Sequence, residues 1–168
     1  MRILLAQNML YLPSLGGANK VTRTLMEGLA AKGHKCQAVA PATGSHGLRT
    51  REAFEEEMQA RGKRVEWRGE GVCVFEEKNV KVHAVVDRLE LGREVRRQSN
   101  EFRPDITVVS SQDPGQVVLE GAMECCPGSV VYVAQAPWDL PFGRGTVVSD
   151  RGARLIKRTG GILTVCDY

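Results

Sequence analysis

Residues 1–41 read MRILLAQNMLYLPSLGGANKVTRTLMEGLAAKGHKCQAVAP, and this stretch decides the fold. Arg2 to Gln7 is a short apolar run, the pattern of a strand buried on both faces. Asn8 to Gly16 is loop, punctuated by Pro13 and closed by Gly16-Gly17. Ala18, Val21, Leu25 and Leu29 then recur at spacings of three, four and four, which predicts a helix over about 18–32 with these four on its buried face. Gly33 follows as the left-handed stop. Lys35 to Ala40 returns to strand, and Pro41 ends it. The unit is β-loop-α-β, which needs a parallel sheet beside it.

The remaining chain repeats the alternation. Arg49 to Gly62 reads as helix, with Phe54 and Met58 four apart and a solvated Glu55-Glu56-Glu57 face. Between Lys63 and Val86, apolar residues alternate with polar ones and Gly69-Glu70-Gly71 and Lys78-Asn79 supply turns. This predicts an antiparallel meander, inserted or at an edge, outside the parallel core. Arg88 to Phe102 is helix, with Leu91, Val95 and Phe102 inward and its arginines and glutamates on a solvated surface. Strand Ile106 to Val109 follows. A helix capped by Asp113, with Pro114 in its first turn, then runs to about Cys126. Strand Ser129 to Ala134, a loop over 135–144, a short helix over 149–158 and strand Ile162 to Val165 complete the pattern. The expected fold class is α/β: a Rossmann-like, doubly wound, mostly parallel sheet in a single domain over 1–168.

Composition agrees. The chain is 42% hydrophobic and 26% charged, which excludes a disordered segment. Eighteen glycines in 168 residues, against 5% aromatics, suit tight strand-to-helix loops. The net charge of +3 is too small for a dedicated nucleic-acid binder, so no nucleic-acid partner is expected. The sequence has neither a signal-peptide core nor an apolar run long enough to span a bilayer, so a cytoplasmic protein without a transmembrane segment is expected. Five cysteines without a C-x-x-C pair read as reduced thiols, with the vicinal Cys125 and Cys126 buried on a helix. The three histidines, His34, His46 and His83, have no metal-ligand spacing, and no metal or cofactor is expected.

In a doubly wound sheet, ligands bind beyond the carboxyl ends of the strands. That rule selects Gln7 and Asn8, Thr43, Ser110 to Asp113, Gln135, and Cys166 to Tyr168. The phosphate-binding fingerprint G-x-G-x-x-G, the P-loop and the nucleophile elbow G-x-S-x-G are all absent. Gly16-Gly17 at the mouth of the first helix either lets backbone N–H groups approach an anion or serves as a plain turn.

Asn8 to His34, with its Gly16-Gly17-Ala18 block and its Lys32-Gly33-His34 close, resembles the opening of the group 1 (family 4) glycosyltransferases of the two-lobed GT-B fold. Arg103-Pro104-Asp105-Ile106 and Ile162-Leu163-Thr164-Val165-Cys166 agree with later family strands in order. Asn19 stands where the family usually has glutamate, and Cys166 where it has serine. The resemblance implies the N-terminal, acceptor-side lobe of a retaining enzyme. Such an enzyme transfers a hexose from a nucleotide-sugar donor to a hydroxyl of an acceptor glycan, lipid or small molecule.

The resemblance also implies Gly16, Gly17, Asn8, Asn19, Gln112, Gln135 and Trp138 as substrate-binding residues, with the catalytic residue unknown. Gln135 occupies a position where many members carry a histidine, and glutamine cannot titrate. Trp138 either stacks on a sugar or anchors the loop with Pro137 and Phe142. The family's donor-binding C-terminal lobe is not in this sequence, so the isolated lobe is expected to be inactive. Peripheral membrane contact remains compatible with this reading. The alternatives are a stand-alone, non-catalytic α/β ligand-binding or regulatory module, and a small α/β hydrolase using Ser110, Ser111 or a cysteine. The hydrolase lacks a partnered base.

Overall fold

A computed structural model describes residues 1–14, 16–44 and 47–164. His46, the end of the last expected strand at Val165 and the edge positions Cys166 to Tyr168 lie outside the described residues. In chain order the elements are β1 (Arg2–Ala6), α1 (Gly17–Ala31), β2 (Lys35–Pro41), α2 (Arg51–Ala60), β3 (Glu66–Arg68), β4 (Val72–Glu77) and β5 (Val80–Val85). Then come α3 (Leu91–Phe102), β6 (Ile106–Ser110), α4 (Val117–Cys125), β7 (Val130–Ala134), α5 (Asp150–Lys157) and β8 (Gly161–Thr164).

The described strands form one sheet in the order β3-β4-β5-β2-β1-β6-β7-β8. β5, β2, β1, β6, β7 and β8 run parallel, while β4 runs antiparallel to both its neighbours, β3 and β5. This is a Rossmann-like α/β fold. It also corrects the reading of residues 63–86 as lying wholly outside the parallel core. β5 pairs in parallel with β2, from Cys36 opposite Val80 to Pro41 opposite Val85. Val82 and Ala84 enter one core and Val85 the other, so the strand is covered on both faces. Exposed Lys81 made it look half-buried in sequence. Only β3 and β4 extend the sheet as a hairpin.

Side chains alternate between two cores, as strand pleating requires. Ile3 and Leu5 pack with Met26 of α1 and with Phe54 and Met58 of α2. Leu4 and Ala6 pack with Leu91 and Val95 of α3, Leu119 and Ala122 of α4, and Ile156 of α5. Helices therefore cover both faces. α3 and α4 touch closely because both carry glycine at the crossing: a Cβ on Gly121 would stand 2.6 Å from the Gly92 carbonyl oxygen.

Four expectations change. The buried face of α1 is Asn19, Thr22, Met26 and Ala30, while Val21 and Leu25 are 41% and 37% exposed. The inward stripe has the same three-four-four spacing but begins with two polar residues, which hydrogen-bond inside and so can be buried. Glu94 was assigned to a solvated surface, yet it is buried on α3 beside His83. Asp113 caps α4 from a turn ahead of it, since the helix starts at Val117 and Gln116 holds the N-cap position in a left-handed conformation. Cys125 is half-buried at the end of α4 and Cys126 is exposed beyond it. Among the described residues Cys36 and Cys73 are the buried thiols, and burial pushes Cys73 up to about 12.

Candidate functional site

The chain winds from β1 through α1 to β2 on one side of the sheet. After β5 it crosses through α3 to β6 on the other side of β1. The connections diverge between the carboxyl ends of β1 and β6, and this switch point is where doubly wound sheets have their ligand crevice. Gln7, Asn8 and the segment 110–113 meet at this point, as the strand-end rule anticipates.

Two hydrogen-bond networks build the crevice from below. In the first, Gln7 Nε2 donates to Asn19 Oδ1 at 3.1 Å and to the Met9 carbonyl at 2.7 Å, while Thr22 Oγ1 donates to Gln7 Oε1 at 3.0 Å. Asn19 Nδ2 donates to the Leu10 carbonyl. These bonds fasten the start of α1 to the end of β1 and to the loop between them. In the second, Ser110 Oγ donates to Gln135 Oε1 at 2.8 Å and Gln135 Nε2 donates to the Ala18 carbonyl at 2.7 Å. The Gln135 backbone N–H donates to Ser111 Oγ at 3.1 Å. The strand ends of β6 and β7 thereby also grip the first turn of α1.

Asn8 Nδ2 donates to Asp113 Oδ1 at 3.0 Å, and Asp113 Oδ2 accepts the Val118 N–H at 2.8 Å. Asp113 is fully buried. Burial raises its pKa, against the lowering pull of these bonds. The Asn8 carboxamide oxygen is buried without a hydrogen-bond partner.

Above the networks lies the start of α1. Gly16 sits at φ +89°, a conformation that a β-carbon would strain, and no side chain caps the helix. Gly16 and Gly17 are exposed, with open space where a Cβ would stand. The first turn holds no acidic residue, so the positive end of the helix dipole is not answered from within the helix.

The structure divides the expected site residues into two groups. Gly16, Gly17, Asn8 and Gln112 are at or near the surface of the crevice, with Asn8 and Gln112 half-buried. Asn19 and Gln135 lie beneath it and use their amides to hold α1 in place. Trp138 is 60% exposed and does not anchor the loop. Phe142 is also exposed; Pro141, which the Gly152 position of α5 packs against, is the buried residue. Thr22 belongs to the network but was absent from the sequence expectations. Its signal was a helix-interior hydroxyl three residues after Asn19.

A second buried polar cluster lies on α3. Glu94 accepts two bonds of 2.7 Å from Arg97 and one of 3.0 Å from Gln98 Nε2, and His83 Nδ1 stands 3.4 Å away. Among the described residues no group of three or more His, Cys, Asp or Glu side chains is placed to hold a metal ion. Nor is any described helix long and apolar enough to cross a membrane.

No protein-family model matches the chain, and no curated protein matches it. This corrects the family labels that the motifs suggested: nothing in these comparisons ties the chain to the terms group 1, GT-B, glycosyltransferase or nucleotide-sugar, and its assignment rests at a Rossmann-like α/β fold.

Proposed function

We propose that the chain is a ligand-binding lobe that holds a small, phosphorylated, hydroxyl-bearing molecule at the carboxyl edge between β1 and β6. One observation carries this reading: an exposed, uncapped α1 N-terminus, opened by Gly16 and braced from below by buried amides, faces the topological switch point. Its free N–H groups suit a phosphate. Asn8 and Gln112 supply carboxamides for hydroxyls at the same crevice. The polar groups described there are amides and hydroxyls, and the Asp113 carboxylate is committed to capping α4. The lobe therefore binds and orients.

The test is calorimetric titration of the chain with a hexose phosphate and with the same hexose lacking phosphate. The phosphorylated sugar binds and the neutral one binds at least tenfold more weakly. Gly17→Ala places a methyl in open space over the helix mouth, so it weakens phosphate-dependent binding. It also stabilises the helix by about 0.5–1 kcal/mol, because glycine is a poor helix residue. Equal binding of the two sugars, or unchanged binding by the Gly17→Ala variant, overturns the reading.

A further inference from the structure

The loop from Trp138 to Val148 leaves four large apolar side chains in solvent: Trp138, Phe142, Val147 and Val148, the last 66% exposed. The loop is nonetheless bound to itself. The Thr146 N–H and hydroxyl both donate to the Trp138 carbonyl at 3.0 Å. The Gly145 N–H donates to the Phe142 carbonyl, and the Ser149 N–H to the Pro141 carbonyl at 2.9 Å. These apolar groups are therefore displayed on a formed loop. α5 begins directly after them. It buries Gly152 and Ile156 and turns Arg154 and Lys157 outward, with Arg158 exposed at its end, while the Arg151 guanidinium pairs with Glu120 of α4.

The charge distribution gives this surface its direction. Residues 138–158 hold five cations, Arg144 and those four, and two carboxylates, Asp139 and Asp150. The chain has 23 Lys and Arg and 20 Asp and Glu; taking away these five and these two leaves 18 of each. The formal charges outside this segment thus balance, and the excess of cations stands beside these four exposed apolar side chains.

We propose that the 138–148 loop and the outer face of α5 form a docking surface for an anionic lipid bilayer. An exposed indole, a phenyl and two valines beside a row of basic side chains match an interface that is apolar below and negatively charged at the headgroups. A nucleic acid offers the same charge, but nothing in it would receive Val147 and Val148. A second copy of this surface would set cations against cations. The inference is independent of the crevice, because neither network residue nor helix mouth takes part in it.

The test is flotation of the full chain with vesicles of phosphatidylcholine alone and of phosphatidylcholine mixed with phosphatidylglycerol, in low and high salt. The chain floats with the anionic vesicles only, and high salt releases it. Val147→Asp with Val148→Asp abolishes flotation. Arg154→Ala with Lys157→Ala and Arg158→Ala weakens it about a hundredfold, since each cation near such a surface contributes about fivefold. Circular dichroism confirms that both variants fold. Gly17→Ala floats like the parent, so failure of the crevice reading leaves this one standing. Several outcomes overturn the proposal: no flotation with anionic vesicles, flotation unchanged by either set of substitutions, self-association in sedimentation that Val147→Asp and Val148→Asp abolish, or tighter retention on DNA than on the vesicles.

Discussion

Ionised Glu94 is buried under α3 with Arg97 forked onto it and His83 beside it. Burial pushes its pKa up, but the neighbouring His83 and the hydrogen bonds from Arg97 and Gln98 overcome that and hold it at about 2, below its ordinary 4.5. A folded-state pKa below the unfolded one means that stability is present above 4.5 and is lost as pH falls toward 2. The urea midpoint therefore drops across that window, and Glu94→Gln flattens this part of the profile. The same substitution costs about 2–3 kcal/mol at neutral pH, toward the low side for a broken buried pair because Arg97 is partly exposed and can rehydrate. At the site, Gln135→Ala leaves the Ser110 hydroxyl and the Ala18 carbonyl without their partner. It lowers stability by about 2 kcal/mol, readable as a shift in the same midpoint. Gln135 was legible as a strand-end residue, and its side-chain role was not. Its partners lie 25 and 117 residues away, beyond the reach of any local pattern.

The contact between α3 and α4 depends on small residues at the crossing. Gly121→Ala brings a methyl within 2.6 Å of a backbone oxygen, which no side-chain rotation relieves. The helices must separate, at a cost of about 1–3 kcal/mol. Thermal unfolding of this variant shows the loss, although alanine is the better helix former. Elements as such were legible, because apolar periodicity and glycine or proline punctuation act locally. Which face of an element turns inward was harder to read. In α1 the apolar set at 18, 21, 25 and 29 lies one position out of phase with the set that is buried, at 19, 22, 26 and 30. Gln7, buried at the end of β1, needs donors and acceptors, and Asn19 and Thr22 supply them. Burial of a satisfied polar pair thus outweighed exposure of Val21 and Leu25. For β5, the alternation of Val80, Lys81 and Val82 reads as a half-buried strand, and the pairing with β2 that buries the rest of it is a long-range fact.

At the scale of the molecule, protection follows the strand order. β1 has parallel neighbours on both sides and a core on each face, so its amides open only when both cores do. Among the described strands β8 pairs with β7 alone and leaves Ile162 and Leu163 more than half exposed, and β3 pairs with β4 alone. Few apolar contacts hold either edge, so each opens at a fraction of the global free energy. Hydrogen exchange read by mass spectrometry finds β1 exchanging last, with β2 and β6 close behind, and peptides covering β8 and β3 exchanging first. The two edges differ in a useful way. The hairpin edge is tied to α2: Trp67 Nε1 donates to Glu55, and the Arg51 guanidinium lies 3.8 Å from the centre of the Trp67 ring. β8 has no such tie to α2, and it is the edge beside α5 in the chain. β8 therefore exchanges before β3. Protection of β8 equal to that of β1 would show that another chain covers the exposed edge in solution, and dilution would then restore its fast exchange.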